Sequence, residues 1–182
     1  MKKIIGLVGE TGSGKDIFCE VLKKKYKKVF VFRFSQPLTE ALRIFFEDVK
    51  KEDQQWLATE LRERFGNNIL GQSIAKRIRE TKEGIIILNG IRAKEEFSMI
   101  KKMGGKIIYI TTDQKLRWQR IINRGEKKDD KSSYKDFLKK EKAKTEIQIS
   151  RLGKNADFQL KNNGSLQEFY KNTTMVLQRL GL

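Results

Sequence analysis

The octapeptide GETGSGKD spans residues 9–16 and combines three glycines with a lysine near the amino end of the chain. A glycine-rich turn between a strand and a helix directs several backbone N–H groups, and the positive end of the helix dipole, into one concavity. A lysine inside the turn adds a mobile positive charge for the outer phosphates of a nucleotide. This phosphate loop predicts a nucleoside triphosphate site, with contacts from all eight of its residues: Gly9, Glu10, Thr11, Gly12, Ser13, Gly14, Lys15 and Asp16.

Asp16 follows the lysine at the position where a serine or threonine hydroxyl usually binds magnesium. A carboxylate also binds Mg²⁺, directly or through water, but it adds a negative charge near the phosphates. The apolar run 84–90 ends in Asn89 and Gly90, although many such proteins carry a magnesium-orienting acid there. We therefore predict that Asp16 replaces this missing acid as the metal ligand. The alternative is that Asp16 only interacts with the dipole of the helix that follows.

Three arginines precede a highly charged segment. Arg117, Arg120 and Arg124 are spaced i, i+3 and i+7, so they lie on one face of a predicted helix. Phosphoryl transfer depends on positioning the migrating group and neutralising its charge, and fixed guanidinium groups do both. We predict that Arg120 and Arg124 serve a lid at about 125–141; the alternative is a solvated basic face.

A second group of charged residues is predicted on the acceptor side. Arg92 follows the third apolar run, and ligands of open α/β sheets bind beyond the carboxyl ends of the strands. Arg62 and Arg64 lie in a helical region and are candidates for holding an acceptor phosphate. Glu95 and Glu96 are candidates for orienting Arg92 or for metal or proton contacts.

Apolar runs alternate with helical patterns along the chain. Continuous apolar runs are typical of parallel strands that are buried on both faces. Helices between them predict right-handed crossovers and one α/β domain over residues 1–182, with a helical insert at about 36–82. The predicted strands are residues 3–9, 28–34, 84–90 and 105–112, with a weaker fifth at 156–162.

The composition limits the function classes. The chain has 182 residues and a formal net charge of +17, which attracts phosphate-rich partners without distinguishing a nucleotide from a nucleic acid. Dispersed lysines on solvated helix faces explain part of that charge. The chain has no histidine, which excludes histidine acid–base chemistry and histidine metal ligands. Its single cysteine, Cys19, and the lack of an apolar run of about 20 residues lead us to expect a cytoplasmic protein.

The segments GLVGETGSGKD, FRFSQPLTEAL, ILNGIRAKEE and ADFQLKNNGSLQEF occur in an order that resembles dephospho-CoA-kinase-like and nucleoside-monophosphate-kinase-like P-loop proteins, in particular small archaeal-type members. The resemblance implies a three-layer fold with a five-stranded parallel sheet in the order 2-3-1-4-5, ATP as phosphoryl donor and Mg²⁺ as cofactor. It implies that Asn162 and Gly164 lie near the adenine, and that Ser35, Arg62 and Arg92 lie on the acceptor side.

These patterns predict an ATP-dependent kinase for a small phosphorylated acceptor, of nucleoside or deoxynucleoside monophosphate or dephospho-CoA type. A GTPase is excluded because the chain has no Asn-Lys pair for a guanine motif. The alternatives are an ATP-switched nucleic-acid-binding protein and a kinase for polynucleotide ends. The identity of the acceptor and the oligomeric state stay open at this level.

Overall fold

A computed structural model describes residues 2–125, 133–142 and 144–182 as five strands and nine helices. The strands are β1 (Lys2–Val8), β2 (Val29–Arg33), β3 (Gly84–Asn89), β4 (Lys106–Thr111) and β5 (Phe158–Lys161). The helices are α1 (Lys15–Lys25), α2 (Gln36–Arg43), α3 (Lys51–Phe65), α4 (Ile69–Glu80), α5 (Lys94–Lys102), α6 (Gln114–Arg124), α7 (Tyr134–Glu141), α8 (Lys144–Gly153) and α9 (Leu166–Arg179).

The five strands form one sheet in the order β2-β3-β1-β4-β5, and every pairing is parallel. This confirms the predicted fold class and strand order. In the register, Asn89 at the end of β3 lies beside Leu7 of β1 and Arg33 of β2. The carboxyl ends of these neighbouring strands therefore meet at one edge, where the phosphate loop leaves β1.

Alternate residues of β1, β2, β3 and β4 pack into two cores, one on each face of the sheet. On one face, Phe18 of α1 and Phe169 of α9 pack against Ile5 and Leu7 of β1. On the other face, α4, α5 and α8 pack against the opposite set of strand side chains, of which Ile86 and Leu88 are fully buried. Burial of both faces explains why the strand sequences are continuously apolar rather than alternating.

The predicted insert at 36–82 contains α2, α3 and α4. A small separate cluster of Leu38, Ala58 and Leu70 holds these helices together. Gln54 of α3 also donates to Thr39 Oγ1 of α2 at 2.9 Å. The insert therefore has a small core of its own beside the sheet.

Local features of the sequence account for two further details. Ser165 and Glu168 form a reciprocal capping box at the start of α9. Cys19 is buried on α1, and burial is the main cause that raises the pKa of its thiol to about 12. Among the described residues, no helix has the length and apolar character that a membrane crossing requires. Residues 126–132 of the predicted lid lie outside the described residues.

Candidate nucleotide-binding site

The phosphate loop connects β1 to α1. Gly12 and Gly14 have φ angles of 82° and 105°, a backbone conformation that residues with a Cβ rarely adopt. The Lys15 ammonium donates to the carbonyls of Gly9 and Glu10, each at 2.8 Å. Because α1 begins at Lys15, the N–H groups of its first turn have no intrahelical carbonyl to bond. The loop therefore gathers backbone donors and a cation at the positive end of a helix.

Residues directly after β4 and β5 support the loop through the Ser13 carbonyl. Asn162 is buried, and its Nδ2 donates to the Ser13 carbonyl at 2.9 Å. Thr112 Oγ1 lies 3.1 Å from the same carbonyl. A Cβ on Gly14 would lie only 2.3 Å from Asn162 Nδ2, so a side chain cannot replace this glycine without displacing the amide. Asn162, which the resemblance associates with adenine, supports the phosphate loop in this structure.

Glu10 is the second residue of the loop, and its side chain is directed toward β4. Its Oε1 accepts a hydrogen bond from the Tyr109 hydroxyl at 2.6 Å, and the carboxylate is almost fully buried. Burial, and then the bond to Glu10, raise the pKa of Tyr109 above its usual value. The backbone carbonyl of Glu10 thus binds the Lys15 ammonium, whereas its carboxylate anchors the loop to the sheet.

Asp16 lies at the opening of the loop, with 63% of its side chain exposed. Its Oδ1 accepts from Asn89 Nδ2 at 2.9 Å and from Arg33 Nη2 at 2.8 Å. The structure therefore brings Asp16 to the strand end where an acid was absent. Arg33 was not among the predicted site residues. Its local sequence, inside the apolar run 28–34, gave no signal for this contact, which follows from its register position beside Asn89.

The exposed carboxylate of Asp16 fits a hard divalent cation. Its bonds to Asn89 and Arg33 both use Oδ1, so Oδ2 is the candidate oxygen ligand for Mg²⁺. Residues 2–125, 133–142 and 144–182 contain no cluster of three or more acidic, histidine or cysteine side chains that would form a metal cage. Mg²⁺ commonly takes one or two carboxylates and completes its shell with phosphates and water, which suits this arrangement. The metal role of Asp16 stays a prediction.

The predicted arginine stripe on α6 divides into two kinds of residue. Arg117 is buried; its Nε donates to the Thr112 carbonyl at 3.0 Å and its Nη2 pairs with Glu141 of α7. Arg120 is half-buried, and its Nη1 donates to Thr112 Oγ1 at 3.3 Å. Burial lowers the pKa of Arg120 from its usual value. Arg117 therefore fastens α7 to α6, while Arg120 lies beside the support of the phosphate loop.

Arg124, the last residue of α6, is also half-buried, and residues 126–132 of the lid that it is predicted to serve lie outside the described residues. Trp118 lies off the stripe and packs against the ring of Tyr134 with the centroids 5.1 Å apart. Gly164 is exposed in the loop that leads into α9. The roles of Arg120, Arg124 and Gly164 toward ATP stay predictions.

On the acceptor side, Glu96 organises the segment after β3. It is buried, and its Oε2 accepts from the backbone N–H groups of Arg92 at 2.9 Å and Ala93 at 3.2 Å. Burial raises the pKa of Glu96 above its usual value, although these N–H groups and the charges of Arg62 and Arg92 act in the opposite direction. The charges of Arg62 of α3 and Arg92 thus both favour the ionised form of this carboxyl group, and the roles of the two arginines toward an acceptor stay predictions. Ser35 is exposed at the start of α2.

Solved structures share this fold across the full length of the chain. A shikimate kinase from Bacteroides thetaiotaomicron has a TM-score of 0.60 at 15% identity and covers 99% of both chains. A dephospho-CoA kinase from Campylobacter jejuni has a TM-score of 0.52 at 18% identity and covers 98% of this chain and 97% of its own. At this level of identity the likeness establishes a P-loop kinase-like fold.

Sequence comparison gives full-length relatives and a family. A UPF0200 protein from Sulfurisphaera tokodaii is 29% identical over 181 residues, which are 98% of this chain and 97% of that protein. A UPF0200 protein from Methanothermobacter thermautotrophicus is 23% identical and covers 97% of this chain and 90% of its own length. The family model AAA_18, described as AAA domain, matches residues 5–149, from β1 into α8. With most of its length matched, the phosphate loop included, the chain belongs to this AAA domain family.

Proposed function

We propose that the chain is an ATP- and Mg²⁺-dependent phosphotransferase for a small phosphorylated acceptor, of nucleoside or deoxynucleoside monophosphate or dephospho-CoA type. The observation that carries this proposal is the phosphate loop, in which the Lys15 ammonium bridges the carbonyls of Gly9 and Glu10 at the amino end of α1. An ammonium and unbonded helix amides at one point form a site for a polyphosphate.

The residues of the donor side stabilise negative charge. Lys15 and the loop amides hold the β and γ phosphates of ATP, and Asp16 contributes an oxygen ligand to Mg²⁺, which supplies further charge neutralisation when bound. Arg120 and Arg124 add positive charge on the opposite side of the migrating phosphoryl group. Because this chemistry needs positioning more than covalent participation, fixed cations account for most of the expected rate enhancement.

The acceptor side is rich in arginine and poor in bases. Arg33 ends β2 and Arg92 follows β3, the two neighbouring strands on one side of β1, and the charge of Arg62 in the insert acts on the Glu96 carboxyl that binds the Arg92 N–H. β3 ends in Asn89, and the residue two positions after β2 is Ser35, so neither strand end supplies a carboxylate as general base. A phosphate acceptor is already an anion and needs no base, whereas a hydroxyl acceptor does. This favours an acceptor whose phosphate is the attacking group, such as a nucleoside or deoxynucleoside monophosphate, over dephospho-CoA, which accepts at a hydroxyl. Arg92, Arg62 and Ser35 would hold the acceptor.

An assay of ADP release from ATP tests the proposal. The candidate acceptors are each nucleoside monophosphate, each deoxynucleoside monophosphate and dephospho-CoA, and shikimate is the control acceptor without phosphate. The expected result is Mg²⁺-dependent ADP release that one phosphate-bearing compound increases well above the rate with ATP alone. Calorimetry with ATP provides the binding measurement. Absence of ATP binding, with and without Mg²⁺, would refute the proposal.

A polynucleotide end is the second candidate acceptor, because the formal charge of +17 favours a polyanion. Short 5′-hydroxyl and 3′-hydroxyl oligonucleotides in the same assay examine it. Transfer to an oligonucleotide that falls steeply with added salt supports this second candidate, since counterion release makes polyanion binding salt-dependent.

A further inference from the structure

An open groove of about 630 Å³ lies between the edge strand β2 and helix α4. We call it the β2-edge groove; its aromatic and charged lining residues are Phe30, Phe32, Lys76, Arg77, Glu80 and Lys82. Phe30 is 39% exposed, and Phe32 is half-buried. The groove thus presents two aromatic rings between cationic side chains.

The β2-edge groove is separate from the nucleotide site. Phe30 is the second residue of β2 and pairs in the register with Ile86, near the amino end of β3. A Cβ built on Gly84, the first residue of β3, would lie 3.2 Å from the Phe30 ring and 3.0 Å from Lys28 Cβ. The phosphate loop, in contrast, lies at the carboxyl ends of the strands. The groove therefore begins at the amino end of the sheet, next to the segment that enters β2.

That segment is strongly basic. Five of the six residues from 23 to 28 are lysine, and each of these lysines is exposed. Lys28 pairs with Glu83, and Arg77 donates from Nη1 to Glu40 at 3.0 Å. Within the described ranges, no carboxylate lies at ion-pair distance from Lys76 or Lys82. The groove lining thus has three cationic side chains against the one carboxylate of Glu80, and the lysines of 23–28 add to this excess of positive charge.

The coincidence of rings and positive charge distinguishes this groove from the other aromatic surface. Residues 36–65 also expose large apolar side chains, but they contain seven acidic and five basic residues. Their own charge therefore opposes a polyanion. The exposed apolar side chains of that segment are Ile44, Phe45, Phe46, Trp56 and Phe65.

We propose that the β2-edge groove binds single-stranded nucleic acid. Bases stack on exposed aromatic rings without regard to sequence, and a basic groove follows the phosphodiester backbone. β2 is an edge strand, so its outer backbone N–H and C=O groups are available to the hydrogen-bonding edges of unpaired bases. A duplex keeps its bases stacked inside and cannot use Phe30 and Phe32 in this way.

Fluorescence anisotropy of a labelled 12-nucleotide oligo-U, measured without ATP at 50 mM salt, tests this proposal. The double variant Lys76→Glu/Lys82→Glu should weaken binding by at least about tenfold and reduce the salt slope by about 1.4, since each phosphate contact on a single strand contributes about 0.7. The control Lys102→Glu/Lys154→Glu changes the net charge equally at exposed positions toward the β4 side. Equal loss in the two double variants would overturn the proposal, because it would show that net charge alone attracts the oligonucleotide.

Phe30→Leu isolates the contribution of stacking, because it keeps an apolar side chain at the edge of the sheet. It should weaken oligo-U binding by about tenfold while the salt slope stays unchanged. Competition with a duplex of the same length and with polyglutamate distinguishes other partners. Unchanged affinity in Phe30→Leu, or equal competition by polyglutamate, would contradict a single-stranded nucleic-acid site. Because the binding measurement contains no ATP, its outcome is independent of the phosphotransferase proposal.

Discussion

The Asn89 side-chain amide donates to Asp16 Oδ1 at 2.9 Å, which joins the carboxyl end of β3 to the first turn of α1. The amide at the strand end and the carboxylate at the end of the loop are thus direct neighbours. An exchange of the two side chains would move the negative charge only by about the length of this hydrogen bond. The contact provides a physical basis for the hypothesis that Asp16 compensates for the missing strand-end acid.

Asp16→Asn should lower Mg²⁺-dependent turnover by about 10- to 100-fold, because it removes the negative charge next to the metal while keeping the hydrogen-bonding shape. The measurement is the rate of ADP release over a range of Mg²⁺ concentrations. The double variant Asp16→Ser/Asn89→Asp restores a hydroxyl after the lysine and an acid on the strand. It should recover most of the activity that Asp16→Ser alone loses. Full activity in Asp16→Asn would contradict the metal role.

Lys15→Ala should reduce phosphoryl transfer by at least about 100-fold, because it removes the mobile cation of the phosphate loop. The fold should persist, since Lys15 is half-buried at the first position of α1 and its ammonium bonds to the nearby carbonyls of Gly9 and Glu10. Circular dichroism and thermal unfolding check the fold, and calorimetry checks ATP binding. A variant that turns over ATP at the rate of the unaltered protein would refute the assignment of the loop.

Asn162→Ala should destabilise the protein by about 1–2 kcal/mol, because it removes a buried hydrogen bond to the Ser13 carbonyl. It should also weaken ATP binding, since the loop loses part of its support. Asn163→Ala is the matched control: Asn163 is exposed and its Oδ1 accepts only from the Asp113 N–H at 2.9 Å. Urea denaturation and ATP calorimetry of both variants provide the comparison. Equal effects at the two positions would argue against a specific support of the loop by Asn162.

The fold could be predicted from the sequence because its strands are buried on both faces. The run 84–90 is apolar throughout and became β3 with a difference of one residue at its end. The same reasoning located β1 and β4 within one residue at each end. The phosphate loop was equally accessible, since its glycines and lysine are close in sequence and need no tertiary contact to be recognised.

Contacts across the sheet could not be predicted in this way. Arg33 was part of an apolar run, and nothing in its local sequence indicated that it would meet Asp16. The spacing of Arg117 indicated the face of α6 on which it lies, but not that its side chain is buried. Its buried guanidinium pairs with Glu141, which lies 24 positions later at the end of the predicted lid. Long-range pairing of polar groups requires the assembled fold, and sequence periodicity does not encode it.

Glu141→Ala should destabilise the protein by about 3 kcal/mol, because it leaves the buried Arg117 guanidinium without its counterion. The side chains of Arg117 and Glu141 are only 6% and 12% exposed. A double-mutant cycle with Arg117→Met measures the coupling, and the double variant should lose less than the sum of the single variants. Glu83→Ala, which breaks the exposed pair with Lys28, is the control and should have no measurable effect. Strict additivity of the Arg117 and Glu141 variants would contradict a direct ion pair.

Asp157 connects the start of β5 to α5 and β4. Its carboxylate accepts from Lys101 Nζ at 2.7 and 2.9 Å and from the Ile107 N–H at 2.8 Å. Burial acts to raise the pKa of Asp157, but the bonds from Lys101 and Ile107 and the charge of Lys106 outweigh it, so the pKa is below its ordinary value of 3.8. The ionised form is therefore the form that stabilises the fold.

A depressed carboxyl pKa gives stability that is present above the unfolded-state pKa and is lost as the pH falls through the lower, folded-state pKa. Asp157→Asn should thus lower the free energy of unfolding by about 1 kcal/mol at pH 6, and the difference from the unaltered protein should shrink as the pH falls from about 4 toward 3. Lys101→Met removes the main partner of Asp157, so the stability difference between this variant and the unaltered protein should also shrink as the pH falls. Scanning calorimetry between pH 6 and pH 3 measures both variants. A stability difference for Asp157→Asn that stays constant over this range would show that ionisation of this carboxyl group does not stabilise the fold.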